Sequence, residues 1–314
     1  MSSFTTIKKF EKHHAALLIF LLVSGVFFIN IFAFTAAYSR VQELQPSFSS
    51  SPIIIFSESE EPEQNQEPEP ARFLDGLGPL ITEVIENEGV SAAIYIQDID
   101  TGETLGLNEK TTFVSASLYK LFASYEIARQ IDSGILEPTS ATGFDAGSIT
   151  IEECLSRTLS YSDNTCGRAL RKVIEADDAP LASINDAGFV GTSLVNDYPT
   201  TSAADVGLFF ERIYKATEFD SSVNDMLLKP LLAQQINNRL PAPLPDGTPI
   251  AHKTADLDGY SHDGGIFYTP EGTYILIVLT GPWANGYSEA PPTHIAISSL
   301  VYDWFNPSAN ASSF

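Results

Sequence analysis

A long uncharged apolar segment near the N-terminus constrains the chain more than any other feature of the sequence. Residues 15–38 run for 24 positions without a charged side chain. About 20 helical residues cross a hydrocarbon core of ~30 Å, and the apolar part of a signal peptide is usually shorter, so the segment predicts one transmembrane helix. Because Lys8, Lys9 and Lys12 precede it, the positive-inside rule predicts that residues 1–14 are cytoplasmic.

The remainder of the chain is then expected outside the cell membrane, attached by this single span. Cleavage near Ala36 or Ala37, where small residues cluster, is the alternative, and it would release the rest of the chain. Residues 39–70 are rich in Glu and Pro, and residues 41–70 contain no Lys or Arg. Low hydrophobicity and repulsion between like charges predict an extended linker at 39–70.

Residues 71–306 have the mixed strand and helix periodicity of a folded domain, and 307–314 form a polar tail. A helix is predicted at 79–89, two strands within 91–108, and a buried helix at 117–133. The last third contains three predicted strands, "TPIAHKTA", "GGIFYTP" and "GTYILIVLTG", before a final helix. This order predicts an α+β fold, with an antiparallel sheet flanked by helices and a helical second lobe formed by the middle of the chain.

The charge balance and the cysteines exclude some function classes. The chain has 40 acidic and 17 basic residues, a formal net charge of −23, so binding to nucleic acid is not expected. Cys154 and Cys166 fit no zinc-binding pattern. They are interpreted either as a disulfide or as two buried thiols, and no metal or cofactor is expected.

The segment "FVSASLYKLF" contains the one S-x-x-K of the sequence, Ser117 and Lys120. Residues at i and i+3 share a helical face, so the amine can reach the hydroxyl. A serine hydroxyl needs a base to become a nucleophile, and burial of a lysine lowers its pKa toward that role. The alternative is a hydroxyl and a solvated surface charge that share a helical face by chance.

Two further motifs follow in the chain. Ser162-Asp163-Asn164 lies between two predicted helices, where the side chains either converge on a cleft or cap a helix. Lys253 and Thr254 lie on the predicted strand "TPIAHKTA", where a lysine between apolar residues is unusual. An edge-strand charge that prevents aggregation is the alternative for Lys253.

These three motifs in this order resemble those of the penicillin-recognising serine enzymes, and most closely the class A β-lactamases. The resemblance covers residues 75–306 and includes "TTSAADVGLFFERIY" and the last three strands. It implies a β-lactamase/transpeptidase-like fold. It also implies a set of roles. Ser117 is expected to be the acylated nucleophile, Lys120 its base and Ser162 the proton relay. Asn164 is expected to hydrogen-bond the substrate amide, Thr254 to bind the substrate carboxylate, and Lys253 to act electrostatically. The backbone N–H groups of Ser117 and Asp256 are expected to form the oxyanion hole.

The sequence departs from the family pattern at two places. The segment "GFVGTSLVNDYPTTS", residues 188–202, contains no glutamate, although class A β-lactamases use one there to activate the deacylating water. Asp197 is the acidic residue of this segment, and it is interpreted as a turn former before Pro199. Ala255 replaces the family glycine, and its methyl group is expected to narrow the cleft.

The sequence therefore predicts a membrane-anchored, extracytoplasmic serine hydrolase that forms a Ser117 acyl-enzyme with β-lactams or related amides. The missing glutamate leaves two alternatives: a D,D-peptidase acting on peptidoglycan peptides, and a binding module or sensor that does not turn over. His252, His262 and Asp263 are interpreted as structural, because no metal-binding or G-x-S-x-G motif accompanies them.

Overall fold

A computed structural model describes residues 73–175, 184–195 and 197–308. They belong to one unit, Pro68–Phe314. The predicted cytoplasmic segment, transmembrane helix and linker lie outside the described residues, as does most of the predicted tail. No helix within the described ranges is long and apolar enough to cross a membrane.

The central element is a five-stranded sheet with the strand order β2-β1-β9-β8-β7, in which every neighbouring pair is antiparallel. The sheet therefore confirms the predicted antiparallel arrangement. Two small antiparallel pairs, β3 with β6 and β4 with β5, lie outside it. In chain order the strands are β1 (Ala92–Asp98), β2 (Thr104–Leu107), β3 (Thr112–Val114), β4 (Ala141–Gly143), β5 (Gly147–Thr150), β6 (Thr200–Ser202), β7 (Ile250–Leu257), β8 (Tyr260–Thr269) and β9 (Gly272–Thr280).

Helices cover the sheet and form the second lobe. In chain order they are α1 (Leu77–Glu88), α2 (Tyr119–Asp132), α3 (Ile151–Ser160), α4 (Asn164–Glu175), α5 (Ala203–Lys215), α6 (Ser221–Leu232) and α7 (Pro291–Phe305). The predicted helix at 117–133 is a 3₁₀ turn, Ala116–Leu118, that continues into α2. Gly134, with φ of +72°, follows the end of α2 in the left-handed conformation that glycine tolerates best.

The two faces of the sheet pack against different helices. Successive side chains of a strand point to opposite faces, so Leu276 packs with Ile297 of α7, whereas the adjacent Ile275 packs in the cluster that contains Phe209 of α5. Helices α2, α3, α4 and α6 contact one another and form the predicted helical lobe. The strand β7, at the edge of the sheet, lies beside the 3₁₀ turn that leads into α2, so the sheet and the helical lobe meet there.

Candidate active site

Ser117 lies on the tight turn between β3 and α2. Its neighbour Ala116 has a φ of +46°, a left-handed conformation that costs a non-glycine residue about 1 kcal/mol. The turn is fixed at both ends by hydrogen bonds from Leu118 N to the Ser115 carbonyl and from Ser115 N to the Pro199 carbonyl, each 2.8 Å long. The Ser117 side chain is half-buried and makes no hydrogen bond to any described residue.

Lys120, one helical turn after Ser117, is fully buried. Its Nζ donates hydrogen bonds to the Ser162 carbonyl at 2.7 Å, to the Ser162 hydroxyl at 3.1 Å and to Asn164 Oδ1 at 2.8 Å. Its alkyl chain passes over Gly167 of α4, where an added Cβ would lie 2.7 Å from the lysine Cε. The absence of a side chain at Gly167 thus makes the space through which Lys120 reaches Ser162.

Ser162 lies on the short connection between α3 and α4, again with a left-handed φ of +62°. The predicted loop position is therefore confirmed. The capping alternative applies to the next residue, because Asp163 Oδ1 accepts hydrogen bonds from the backbone N–H groups of Thr165 and Cys166 at 2.7 and 2.9 Å. Cys154 of α3 and Cys166 of α4 form a disulfide across this connection. The disulfide joins the two helices from which the Ser162 loop emerges.

Lys253 on β7 also contacts Ser162. It is fully buried, and its Nζ donates to the Ser162 hydroxyl at 3.0 Å and to the Thr254 carbonyl at 2.6 Å. His252, the preceding residue on the strand, points away and contacts Asp263 and Asn237. One hydroxyl, Ser162 Oγ, therefore bridges two lysine amines that are 133 positions apart in the sequence.

The buried environment changes the protonation of both lysines. Desolvation lowers the pKa of Lys120 to about 8, while the Asp163 carboxylate opposes this shift. Desolvation also holds the pKa of Lys253 well below its ordinary value, and the nearby Lys120 charge lowers it further. With a pKa of about 8, the Lys120 amine can exist without its proton and act as a base.

A cleft of about 530 Å³ opens in front of these groups. Of the residues predicted for the site, Ser117, Asn164 and Asp256 line the cleft, and Ser162 lies beside it in contact with both buried lysines. Thr254, which is buried, is on β7 between Lys253 and the cleft-lining segment. The half-buried Ser117 therefore lines the cleft, whereas both lysine amines are buried and contact Ser162.

Ala255 and Asp256 follow Thr254 on β7, and only one of them lines the cleft. Ala255 was predicted to narrow the cleft, and this prediction is wrong: its methyl group is buried in the hydrophobic core. Strand alternation puts Ala255 on the same face of β7 as Lys253, and at Ala255 this face packs into the core cluster that also contains Ala116 and Leu118. Asp256 does reach the cleft, where its carboxylate pairs with the buried guanidinium of Arg239.

Several residues that line the cleft were not predicted from the sequence. Three cations of α4 line the cleft, and their i, i+3 and i, i+4 spacing in "GRALRK" was the signal that could have identified them: Arg168, Arg171 and Lys172. Asp197 and Pro199, from the segment without a glutamate, also line the cleft. Tyr119 lines it too, whereas Trp283 is buried and donates to Thr280 Oγ1.

The histidines have structural partners. His262 Nδ1 accepts from Thr280 N at 3.2 Å, so its Nε2–H donates to the Val114 carbonyl at 2.8 Å, just before the Ser117 turn. Burial lowers the pKa of His262 to about 4, so the ring is neutral at neutral pH. Within the described ranges, no group of three or more His, Cys, Asp or Glu side chains is arranged to hold a metal ion.

Comparison with known proteins identifies the fold. A solved β-lactamase from Burkholderia vietnamiensis is 17% identical and aligns over 75% of this chain and 97% of its own, with a TM-score of 0.67. PBP-A is 20% identical over 76% of this chain and 98% of its own, with a TM-score of 0.68. A mutant of PBP-A was solved as an acyl-enzyme complex with penicillin G. It is 20% identical over 76% of this chain and 99% of its own, with a TM-score of 0.68.

No curated protein matches this chain in sequence. The solved structures are similar in fold at low identity. The model of the Beta-lactamase enzyme family matches residues 77–305, which includes every predicted site residue. The chain belongs to the β-lactamase enzyme family.

Proposed function

We propose that this protein is a membrane-anchored, extracytoplasmic serine hydrolase that forms a Ser117 acyl-enzyme with β-lactams or related amides. The family supports a serine hydrolase of the β-lactamase type. The observation that carries the finer proposal is the bridge at Ser162, whose hydroxyl lies 3.1 Å from Lys120 Nζ and 3.0 Å from Lys253 Nζ. Such a bridge gives a proton two routes to and from one hydroxyl beside the cleft.

Acylation would begin with neutral Lys120 accepting the Ser117 proton as the serine oxygen attacks the amide carbon. The negative charge that develops on the carbonyl oxygen would be stabilised by the backbone N–H groups of Ser117 and Asp256. As the C–N bond breaks, the leaving nitrogen takes a proton from Ser162, and Ser162 takes one from Lys120. The products are an ester on Ser117 and a free amine, with the proton count unchanged.

Substrate placement follows from the residues around this path. Asn164 lines the cleft beside Ser117 and is proposed to hydrogen-bond the substrate amide. Thr254 is proposed to bind a polar group on the far side of the scissile bond. Lys253, whose Nζ contacts the Ser162 hydroxyl, is proposed to set the electrostatic field at the site, and this local field matters more to a ligand than the formal charge of −23 of the whole chain.

Deacylation is the step that the sequence leaves without a base. Residues 188–202 contain no glutamate, so the acyl-enzyme is expected to hydrolyse slowly. The same observation favours a second candidate function, a D,D-peptidase that acts on peptidoglycan peptides. A protein that acylates once and then serves as a sensor is the remaining outcome of the test below.

The test mixes the full chain, purified in detergent, with a chromogenic β-lactam and follows product against time. Continued turnover supports the hydrolase, and a burst of one equivalent supports the peptidase or the sensor. Release of D-alanine from a D-Ala-D-Ala peptide then separates these two. The Ser117→Ala variant is the control, and product formation that persists in it contradicts the proposal.

The proposed location rests on residues 15–38 and the three lysines before them. Two measurements test it: membranes from expressing cells are washed with alkaline carbonate, and intact spheroplasts are treated with protease from the outside. A domain that is anchored and extracytoplasmic stays in the carbonate-washed pellet and is digested on the spheroplasts. Release by the carbonate wash, or a mature N-terminus after Ala36 or Ala37, contradicts the anchor.

A further inference from the structure

The cleft contains a negative side chain where a β-lactam hydrolase is expected to bind a negative ligand. Asp256 lines the cleft together with Ser117 and Asn164. It is two positions after Thr254 on β7, so both side chains share one face of the strand. The Asp256 side chain is 28% exposed, which leaves its carboxylate at the wall of the cleft and not within the core.

The partner of this carboxylate is a buried cation. The Arg239 side chain is only 4% exposed and donates from Nη2 to Asp256 Oδ2. Its Nη1 donates to the His262 carbonyl at 3.1 Å. Its Nε, although buried, has no hydrogen-bond partner in the part of the chain that the structure describes. A guanidinium with spare donors, held rigidly beside a cleft, is the group that proteins most often use to bind carboxylates.

Two hydroxyl groups, those of Ser261 and Thr254, also belong to the surroundings of Asp256. Ser261, directly opposite Asp256 on β8, donates to Asp256 Oδ1 at 3.0 Å. The Thr254 hydroxyl makes no hydrogen bond to any described residue and faces the same side of β7. The guanidinium and the Ser261 hydroxyl therefore hold a carboxylate that belongs to the chain itself, and the unbonded Thr254 hydroxyl is a further donor on the same face of the strand.

We infer that Arg239, Ser261 and Thr254 form a carboxylate subsite that Asp256 fills from within, so that Asp256 determines specificity. A ligand carboxylate beside the scissile amide would meet a fixed negative charge and an already neutralised arginine. Acyl donors that carry an uncharged group there, such as an ester or a carboxamide, avoid this repulsion. The C-terminal carboxylate of a peptide meets the same repulsion as that of a penicillin. The ligand preference rests on the proposed function, but the subsite does not.

The subsite is tested without any catalysis. In a Ser117→Ala background, Asp256→Ser removes the internal carboxylate, and the melting temperature is followed as sodium acetate replaces sodium chloride at constant ionic strength. The melting temperature of the double variant is expected to rise by about 3 °C and to saturate, because a ligand that binds only the folded state stabilises it. The Ser117→Ala protein is expected not to respond.

Acetamide is the matched neutral probe, and it should stabilise neither protein. Asp256→Asn keeps the shape of the side chain and is the second variant, with a smaller acetate response expected because the amide still occupies the space. An equal acetate response with and without Asp256, an equal response to acetamide, or no acetate response in either Asp256 variant overturns the inference.

The specificity is measured on the unmodified protein. Acylation by a penicillin is compared with acylation by its methyl ester, each rate divided by the rate of alkaline hydrolysis of the same compound. The ester is expected to be favoured at least ~10-fold in the unmodified protein, and the ratio is expected to fall about 10-fold or more in Asp256→Ser. A preference of the unmodified protein for the acid overturns the inference. If neither compound acylates any variant, the proposed function fails, and the acetate titration still decides the subsite.

Discussion

The proposed role of Lys120 predicts a steep dependence of acylation on pH. Only the neutral amine can accept the Ser117 proton, so the rate should follow the neutral fraction. With a pKa of about 8, about 1% of the lysine is neutral at pH 6 and about 90% at pH 9, which predicts a rise of about 90-fold and a plateau above. A lysine at its ordinary value of 10.5 would be only about 3% neutral at pH 9.

The direction of the Lys120 pKa shift follows from the burial of its amine. Lys120 is removed from water and its hydrogen bonds go to the uncharged oxygens of Ser162 and Asn164. Burial penalises the charged form, and no carboxylate contacts the amine in the described residues, so the pKa falls and the base becomes available at lower pH. A rate that increased toward acidic pH would require a protonated lysine and would oppose this reasoning.

The assay is the single-turnover rate of adduct formation with one β-lactam between pH 6 and 10, read by rapid quench and intact mass. Lys120→Met should lose about 10²- to 10⁴-fold in rate and also the pH dependence. Lys229→Met is the matched control, because Lys229 is 72% exposed on α6 and pairs with Asp225. A flat profile in the unmodified protein, or an unchanged profile in Lys120→Met, would refute the role of Lys120 as base.

Three other changes have defined outcomes in the same assays. Gly167→Ala should slow acylation about 100-fold without unfolding the protein. The new Cβ would lie 2.7 Å from Lys120 Cε and would displace the amine. An unchanged acylation rate would show that the Lys120 side chain adapts. Reduction of the Cys154–Cys166 disulfide should lower the free energy of unfolding by about 3 kcal/mol, because the bond joins residues separated by 12 positions. The free energy is measured by urea titration with and without dithiothreitol. Equal unfolding midpoints would contradict this expectation. Ser162→Ala should slow acylation about 100-fold or more, because it removes the bridge between the two amines; rates within a factor of two of the original would exclude the relay.

The elements that carry the motifs could be predicted from local patterns. The apolar spacing and Gly134 identified the helix after Ser117, and the period of two on β7 separated His252 from Lys253. Alternation puts Ala255 on the same face as Lys253, so it could not show that the Ala255 methyl group is buried in the core; that depends on the packing around β7. The adjacency of the three motifs came from the family resemblance, since no local pattern brings Lys120 and Lys253 to one hydroxyl.

Other parts of the site depend on contacts between distant segments. Arg239 lies outside the helices and strands, 17 positions before Asp256, and nothing in its neighbourhood indicates a partner. The direction of Lys120 toward Ser162 depends on the space above Gly167, which only the packing of α4 against α2 creates. Spacing alone also could not decide between a disulfide and free thiols.

The most direct test of the central claim is the chemical identity of the acylated residue. The full chain is incubated with a β-lactam, quenched in acid, digested, and mapped by tandem mass spectrometry. We expect one adduct with the mass of the intact β-lactam on the peptide that contains Ser117, and no adduct in Ser117→Ala. An adduct on another residue, or no adduct at any time sampled while substrate remains, with both a β-lactam acid and its ester, would contradict this expectation.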